Sequence, residues 1–228
     1  MTERGSRVTG RESVSPWDAI VIGAGPAGTL AARDLAIAGA RVLLVERAAF
    51  PREKVCGACL NGRALEVLNE SGLGKLPEDL GGISLDSLRI GHANREVRFP
   101  LPAGIAISRS RLDAALAEAA IGAGVQFLPE TSAVIEPTRR VIEPDGRERE
   151  STRAVTLTHR NGEVTSVNAR IILVASGLAP GCLSLDGGFR TMVAENSRIG
   201  AGCHVGRFPS FYRPGTIFMA VARSGYVG

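Results

Sequence analysis

Residues 18–46 decide the fold, and they read DAIVIGAGPAGTLAARDLAIAGARVLLVE. The stretch opens with a short apolar run, Asp18 to Ile22, that ends in glycine, which is typical of a buried parallel strand. Apolar residues then recur at helical spacing from Thr29 to Ala38, and the glycine that follows is the residue that most often ends a helix. A second apolar run covers Arg41 to Glu46. The order strand, glycine turn, helix and strand predicts a right-handed βαβ unit.

The turn between the first strand and the helix matches the dinucleotide-binding pattern G-x-G-x-x-G. Its residues are Gly23, Ala24, Gly25, Pro26, Ala27 and Gly28. The first glycine permits the tight turn, the second lets a diphosphate approach the backbone, and the third lets the helix pack against the strand. Free N–H groups at the helix start, with about half a positive charge from the helix dipole, would hold the phosphates.

Glu46 completes the dinucleotide-binding pattern. It lies eighteen positions after Gly28, at the end of the second strand, close to the spacing of the acid that binds a ribose hydroxyl. A carboxylate there repels a 2′-phosphate, so the site favours FAD or NAD over NADP as its resident ligand. The alternative is a glycine-rich turn that only joins packed elements, but strand, helix and acid in register favour dinucleotide binding.

Composition narrows the class of protein. The chain has 228 residues, 44% hydrophobic and 22% charged, as in ordinary globular proteins, and is long enough for one domain with part of a second. Its net charge is +4, but the basic residues are scattered and only 4% are aromatic, so nucleic acid is not expected as a partner. No apolar run approaches the roughly 20 residues that cross a bilayer, which leaves peripheral membrane contact open.

The cysteines and histidines point to neither a disulfide framework nor a metal site. The cysteines are Cys56, Cys59, Cys182 and Cys203; their uneven spacing, with no signal peptide before them, predicts a reducing, cytoplasmic location. Cys56 and Cys59 form C-x-x-C before a predicted helix, whose dipole favours a low thiol pKa. No second cysteine pair or histidine cluster supplies further zinc ligands. The isolated histidines are interpreted as surface or structural residues: His92, His159 and His204.

Further elements are predicted along the rest of the chain. Helices are predicted over 62–69 and 108–121, the second capped by Ser108 or Ser110. Strands are predicted as a pair within 84–99, and over 105–107, 125–127, 133–135, 154–158, 169–175, 199–205 and 216–221. The strands at 133–135 and 154–158 are expected to pair antiparallel around an exposed charged excursion over 139–153. Asn161–Gly162 is expected to form a hairpin turn.

Three stretches resemble one superfamily of flavoproteins. Glu46-Arg47 and the run FPREKVCG over 50–57 are similar to the segment after the second strand in geranylgeranyl reductase-like flavoproteins. These proteins belong to the para-hydroxybenzoate hydroxylase superfamily, which includes flavin monooxygenases and tryptophan halogenases. Residues 107–113 resemble that superfamily's R-x-x-L-D element, here Arg109, Leu112 and Asp113. The run GYVG over 225–228 is similar to its G-Y-x-G turn.

The resemblance implies FAD as the cofactor and a role for several residues. Glu46 would bind the adenosine ribose, with Arg47 beside it in the same cofactor-binding segment. Cys56 and Gly57 would lie near the flavin, which favours a flavin-site thiol over redox exchange. Arg109 would approach the phosphate and ribityl region, and the backbone at Ala133 would border the adenine. The alternatives are a solvated Arg109 at a helix start and an Ala133 that only packs within its strand.

The predicted fold class is α/β, a Rossmann-like FAD-binding domain with a partial β-rich substrate domain. The FAD-binding domain is predicted over 17–80 and 103–180, the substrate-domain sheet over 81–102 and 181–228, and a flexible tail over 1–16. Two features depart from the family. Ser176-Gly177 stands where relatives commonly have Asp-Gly, and the Gly-Asp motif that follows the substrate-domain strands is not found, so a C-terminally truncated chain is expected.

The implied activity is that of an FAD-dependent oxidoreductase, in which the flavin carries the chemistry and the protein binds and orients it. NAD(P)H would be the transient reductant, and a small or prenyl-type organic molecule the substrate of a reductase or a monooxygenase. The K-V-C-G run favours the reductase, and the halogenase W-x-W-x-I-P motif is not seen. The alternatives are an NAD-dependent dehydrogenase and a catalytically inactive, truncated FAD-binding fragment.

Overall fold

The computed structural model describes residues 15–137, 152–178, 181–185, 189, 192–197 and 199–228. The helices are α1 (Pro26–Ile37), α2 (Gly62–Glu70), α3 (Leu76–Asp79) and α4 (Arg109–Gly122), with a 3-10 turn at Gly181–Leu183. The strands are β1 (Trp17–Ile22), β2 (Val42–Val45), β3 (Cys59–Asn61), β4 (Ile83–Ser84), β5 (Ser87–His92), β6 (Arg95–Pro100), β7 (Gly104–Ala106), β8 (Gln126–Leu128), β9 (Thr131–Ile135), β10 (Arg153–His159), β11 (Val164–Val174), β12 (Thr216–Ala222) and β13 (Gly225–Val227).

The predicted βαβ unit forms the centre of a six-stranded sheet with the order β8-β2-β1-β11-β10-β9. Strands β1 and β2 pair parallel, from Ala19 with Val42 to Ile22 with Val45. Their apolar side chains are buried on both faces of the sheet, as expected for a strand covered on two sides. The carboxyl ends of β8, β2, β1 and β11 therefore meet at one edge, where the glycine turn lies.

Helices α1 and α4 pack beside each other on one side of this sheet. Helix α1 begins at Pro26 rather than at the predicted Thr29, because proline suits the first helical position, where no N–H is needed. Gly39 has φ +89° just past the helix end, as predicted. Ser108 is the N-cap residue of α4, but its side chain makes no capping hydrogen bond. Its buried face includes Leu112, Leu116 and Ala120.

The second half of the six-stranded sheet is an antiparallel meander. Strand β11 pairs antiparallel with β10 up to Ala169 and then parallel with β1, so it begins at Val164 instead of the predicted residue 169. The hairpin between β10 and β11 is confirmed, with Gly162 at φ +83°. The antiparallel pairing of β9 with β10 is confirmed too. The predicted charged excursion lies outside the described residues up to position 151, and Arg153 already belongs to β10.

Two smaller sheets complete the described chain. The four-stranded sheet has the order β13-β12-β5-β6, so it joins residues 87–100 to residues 216–227. The two predicted strands within 84–99 are confirmed as the antiparallel pair β5 and β6. The three-stranded sheet has the order β3-β7-β4. It connects residues 59–61 and 83–84 to the strand that leads into α4.

Three expectations about local structure are wrong or lie outside the described residues. Residues 199–205 form no strand although they are partly apolar, because a strand needs a hydrogen-bonded neighbour and none of the described strands pairs with them. The GYVG run forms strand β13 after a turn at 223–224, and is not itself the turn. Residues 1–14 of the predicted tail lie outside the described residues. Among the described helices, none is long and apolar enough to cross a bilayer.

Candidate functional site

The glycine turn after β1 has the close packing that its sequence predicts. A β-carbon on Gly28 would lie 1.9 Å from the carbonyl oxygen of Gly23, and one on Gly23 would lie 2.4 Å from the carbonyl oxygen of Ala175. Gly23 also has φ +108°, which L-residues rarely adopt. The first and third glycines are therefore required by the turn and by the contact between α1 and the end of β11.

Gly25 differs from its neighbours because the space above it is open. It is the N-cap of α1, with an extended backbone at φ −79° and ψ 176°, and it is half-buried. Among the described residues, a β-carbon at Gly25 would meet within 4 Å only the Nη2 atom of Arg52, at 3.7 Å. The helix start thus faces a gap with N–H groups, which is the usual arrangement for binding an anion.

Glu46 reaches from the end of β2 into the glycine turn. Its Oε2 atom accepts a hydrogen bond of 3.0 Å from the N–H of Ala24, and its Oε1 atom accepts one of 3.0 Å from the N–H of Ala48. The residue is only 8% exposed. Since both hydrogen bonds come from the backbone, the carboxylate is held in one orientation beside Gly25. Arg47, the next residue, is exposed.

Arg52 is a site residue for which no sequence motif predicts a role. Its Nη2 atom lies 3.6 Å from Oε2 of Glu46 and 3.2 Å from Oδ2 of Asp113, and the side chain is only 11% exposed. Its Nε atom is buried and has no hydrogen-bond partner among the described residues. A guanidinium with unused donor capacity, placed over Gly25, suits an anionic group beside the glycine turn.

Asp113 is the second residue that sequence reasoning did not assign. Its side chain is completely buried, and it accepts two hydrogen bonds of 2.9 Å from the guanidinium of Arg109, one turn earlier on α4. The signal in the sequence was an arginine and an aspartate four positions apart, a spacing that brings side chains together on a helix. Arg109 is therefore not a solvated residue, because its guanidinium is paired and only 16% exposed.

Cys56 lies at the far end of this group, next to Arg109. Burial raises the pKa of the Cys56 thiol, but the N–H of Ala58 and the hydrogen bond and charge of Arg109 outweigh it, so the pKa is lower than usual. For Cys59, burial and the nearby charge at Cys56 both raise the pKa. Cys59 is the first residue of strand β3, which ends at Asn61, the N-cap of α2. The low pKa of the Cys56 thiol thus comes from the Ala58 N–H and from Arg109, whereas the sequence predicted it from the dipole of α2.

These contacts join into one group, which we call the ionic network. Its members, in order of contact, are the N–H of Ala24, Glu46, Arg52, Asp113, Arg109 and Cys56. The two carboxylates and the two guanidiniums balance in charge. The network links the glycine turn to the loop that contains Cys56, so four of the predicted site residues, together with Arg52 and Asp113, lie in one continuous arrangement. The four are Ala24, Glu46, Arg109 and Cys56. Gly57 is exposed in the same loop.

Ala133 lies apart from the ionic network. Its side chain packs in the core beneath β9, and its backbone pairs with Leu157. Strand β9 starts beside the acid, because the N–H of Thr131 donates to the carbonyl oxygen of Glu46. A depression of about 480 Å³ opens there, lined in part by Thr131, Glu130 and His159. This depression lies near the carboxyl end of β2, next to Glu46, and no residue of the glycine turn lines it.

The end of β11 forms another wall of the site. Gly177 has φ +76°, and a β-carbon there would lie 3.3 Å from Nζ of Lys54. The neighbouring Ser176 hydroxyl lies 3.9 Å from the sulfur of Cys182. Lys54 therefore adds a positive charge at the carboxyl edge of the sheet, next to Gly177. Within the described residues, no group of three or more His, Cys, Asp or Glu side chains is placed to hold a metal ion.

Parallel strands β8, β2, β1 and β11, with a glycine turn, a helix start and a ribose-type acid at their carboxyl ends, define a dinucleotide-binding protein. Residues 17–179 match the model of the FAD binding domain family, and the chain belongs to that family. The predictions of an FAD-binding, Rossmann-like α/β fold and of FAD as the cofactor are thereby confirmed.

Similar proteins include reductases. Menaquinone reductase of Mycobacterium tuberculosis is 36% identical over 166 residues, which cover 70% of this chain and 37% of that protein. Geranylgeranyl diphosphate reductase of Rhodobacter capsulatus is 31% identical over 164 residues, which cover 71% of this chain and 37% of that protein. The chain thus spans well under half the length of these relatives. The resemblance to geranylgeranyl reductase-like flavoproteins is confirmed.

Solved structures show the same fold. A geranylgeranyl bacteriochlorophyll reductase-like protein from Thermoplasma acidophilum superposes with a TM-score of 0.65 at 20% identity, covering 92% of this chain and 51% of that chain. Flavin-dependent halogenases and monooxygenases share the fold as well. These structures therefore show that the fold of this chain occurs in flavoproteins of more than one activity.

Proposed function

We propose that the glycine turn and Glu46 hold FAD in this chain, and that the flavin serves a reductase. The observation that carries the proposal is the 3.0 Å hydrogen bond from the N–H of Ala24 to Glu46, beside an open Gly25. The α1 N-terminus would hold the diphosphate, and Glu46 would bind the adenosine ribose. The turn residues concerned are Gly23, Ala24, Gly25, Pro26, Ala27 and Gly28.

The other cofactor-binding residues follow from their order in the ionic network. Arg52, whose Nη2 atom lies above Gly25, would pair with the diphosphate, and its unpartnered Nε supplies a further donor. Arg109, beyond Asp113, would approach the ribityl region, and Cys56 and Gly57 would lie nearest the flavin ring. Arg47 would border the adenosine side from its exposed position, and the backbone at Ala133 would border the adenine.

The chain would consist of an FAD-binding domain and part of a substrate domain. Residues 17–80 and 103–180 would bind FAD, and residues 81–102 and 181–228 would form a substrate-domain sheet. The pairing of β5 with β12 supports this division, because it joins residues that are 129 positions apart in the sequence. Strand β4 pairs with β7, so the boundary near residue 81 would lie within a shared sheet and not in a free linker.

The reaction would be reduction of an organic substrate. Bound flavin supplies two-electron chemistry with NAD(P)H as the transient reductant, and the protein binds, orients and shields the reacting groups. The relatives named for menaquinone and for geranylgeranyl diphosphate favour a prenyl-type substrate. A monooxygenase is the alternative activity, since proteins with that activity share the fold. Membership in the FAD binding domain family favours FAD over NAD as the resident cofactor.

Gly25→Ala tests FAD binding without disturbing the fold. The new methyl group would meet Arg52 at 3.7 Å, an ordinary contact, so the free energy of unfolding should stay within about 0.5 kcal/mol of wild type. FAD affinity should fall about tenfold or more, because the methyl group occupies the approach to the backbone. Gly122→Ala is the matched control, since a β-carbon there meets nothing within 4 Å among the described residues.

Binding is measured by flavin fluorescence titration, and activity by NADH and NADPH oxidation with added FAD, with and without oxygen. Equal affinity in Gly25→Ala and Gly122→Ala would overturn the proposed binding mode. FAD binding without any NAD(P)H oxidation would favour the inactive fragment over the reductase. Oxidation that depends on oxygen would favour the monooxygenase.

A further inference from the structure

The C-x-x-C loop is fastened against the start of α4 by backbone hydrogen bonds. The carbonyl oxygen of Ala58 accepts a hydrogen bond of 2.8 Å from the N–H of Ile107, and Cys59 pairs with Ala106 between β3 and β7. Arg109 is the first residue of α4. The pairing of β3 with β7 therefore holds Cys56 next to the Arg109 guanidinium, although the two residues are 53 positions apart in the sequence.

The two thiols of this loop have different surroundings. Cys56 lies beside a guanidinium and the N–H of Ala58, both of which stabilise a thiolate. The Sγ atom of Cys59 donates instead to the carbonyl oxygen of Gly57, at 2.9 Å, a contact that only the protonated thiol makes. Both residues are free and exposed to solvent. Cys56 is thus favoured as the nucleophile, and Cys59, three residues later, is favoured in its protonated form.

Asp113 holds this arrangement in place. Its buried carboxylate accepts two hydrogen bonds from Arg109, which fixes the guanidinium beside the cysteine loop. The left-handed backbone of Ala58, at φ +54°, turns the chain between the two cysteines. Every one of these contacts lies within the protein.

We propose that Cys56 and Cys59 form a reversible dithiol–disulfide pair, with Cys56 as the attacking thiolate and Cys59 as the resolving thiol. The oxidant is a low-molecular-weight disulfide. The Cys56 thiolate attacks one sulfur of that disulfide, forming a mixed disulfide and releasing one thiolate, which takes up a proton. Cys59 then loses its proton and attacks the Cys56 sulfur, releasing the second thiol. The two protein thiols are oxidised by two electrons, and the small disulfide is reduced to two thiols.

The exchange changes the surroundings of Arg109. Once Cys56 is in a disulfide it carries no negative charge, so Arg109 keeps Asp113 as its partner and loses the thiolate. The ratio of small disulfides to thiols in solution thereby determines the charge next to Arg109, at one end of the ionic network. This inference does not rest on the proposed function, and it is tested without a flavin assay.

The test is thiol mapping on the full chain after incubation with oxidised glutathione. Acid quenching, alkylation and trypsin yield the peptide of residues 55–63, which contains both cysteines between cleavage sites at Lys54 and Arg63. We expect this peptide to have lost two hydrogens and to carry no alkyl group, and dithiothreitol should restore both alkylation sites. In Cys59→Ser, a stable mixed disulfide with glutathione should remain on Cys56.

Cys203→Ser is the control, because Cys203 is exposed and adjoins this loop: a β-carbon on Gly202 would lie 3.3 Å from Val55. The disulfide should form in Cys203→Ser as it does in wild type. Before oxidation, iodoacetamide should label Cys56 about tenfold faster than Cys59 at neutral pH. A wild-type disulfide that joins either residue to Cys203 would overturn the proposal, and so would full alkylation of residues 56 and 59 after oxidation.

Discussion

The guanidinium of Arg52 lies 3.2 Å from the buried carboxylate of Asp113, and this contact joins the loop after β2 to helix α4. The same guanidinium reaches Glu46 at 3.6 Å. Asp113 therefore serves two arginines, Arg52 and Arg109, that come from different parts of the chain. All three side chains are largely or fully buried. Loss of the Asp113 carboxylate would therefore leave the two guanidinium cations without their shared anionic partner and with little access to water.

Asp113→Asn should destabilise the protein by about 3–5 kcal/mol, the usual cost of removing one partner from a buried ion pair. Asparagine keeps the size of the side chain, so the loss comes from charge and not from a cavity. Glu118→Gln is the matched control, because Glu118 is exposed on the same helix, and it should change the free energy of unfolding by less than about 0.5 kcal/mol. Urea denaturation measures both. Equal stability of the two variants would show that the pairing is not energetically important.

The sequence predicts the centre of the fold well because the evidence there is local. Strand, turn, helix and strand follow one another within 29 residues, and each carries its own pattern of apolar residues. Helix α1 starts three residues before the predicted Thr29, because proline disrupts the interior of a helix but suits its first position. The predicted strand at 199–205 fails for the opposite reason. Its apolar residues satisfy a local pattern, yet a strand also needs a neighbour that the sequence does not identify.

The residues of the candidate site also differ in whether a local sequence pattern predicts them. Glu46 could be predicted because its distance from the glycine turn is fixed by one βαβ unit, and its contact with Ala24 follows from parallel pairing of β1 and β2. Arg52 and Asp113 are 61 positions apart, and their contact depends on the path of the loop after β2. No local pattern encodes that path, so the ionic network appears only in three dimensions.

Gly28→Ala should destabilise the protein strongly. The new β-carbon would lie 1.9 Å from the Gly23 carbonyl oxygen and 3.1 Å from the β-carbon of Ala175, so α1 must move away from the sheet. Overpacking of this kind costs about 1–3 kcal/mol or more. Gly122→Ala, in the last turn of α4, should be neutral or stabilising by up to about 1 kcal/mol. Thermal unfolding compares them, and a wild-type midpoint for Gly28→Ala would contradict the close packing of α1 on β1.

The reactivity of Cys56 should depend on pH in a way that Arg109 controls. Burial raises the pKa of this thiol, but the N–H of Ala58 and Arg109 together hold it below its ordinary value, so alkylation should reach half its maximal rate at a lower pH than for Cys59, whose pKa is raised. Arg109→Gln removes the hydrogen bond and the charge, and the midpoint for Cys56 should move to higher pH.

Arg111→Gln is the control for this experiment, because Arg111 is exposed, lies two residues further along α4 and donates to the carbonyl oxygen of Leu80. Its pH profile should match that of wild type. The measurement is the rate of iodoacetamide labelling of the peptide of residues 55–63, followed by mass spectrometry. A midpoint that stays in place in Arg109→Gln would mean that the thiolate is stabilised without this guanidinium.

Leu116→Ala tests whether α4 is held mainly by its apolar face. Leu116 is 1% exposed and packs with Leu68, Ile105 and Leu112, so truncation should cost about 2–5 kcal/mol through lost burial and the cavity left behind. Ile121→Ala, on the same helix but 49% exposed, should change the free energy of unfolding by less than about 1 kcal/mol. Since Arg109 and Asp113 belong to this helix, Leu116→Ala should also slow the labelling of Cys56. Unchanged labelling in a destabilised variant would show that the first turn of α4 is held by the ionic network alone.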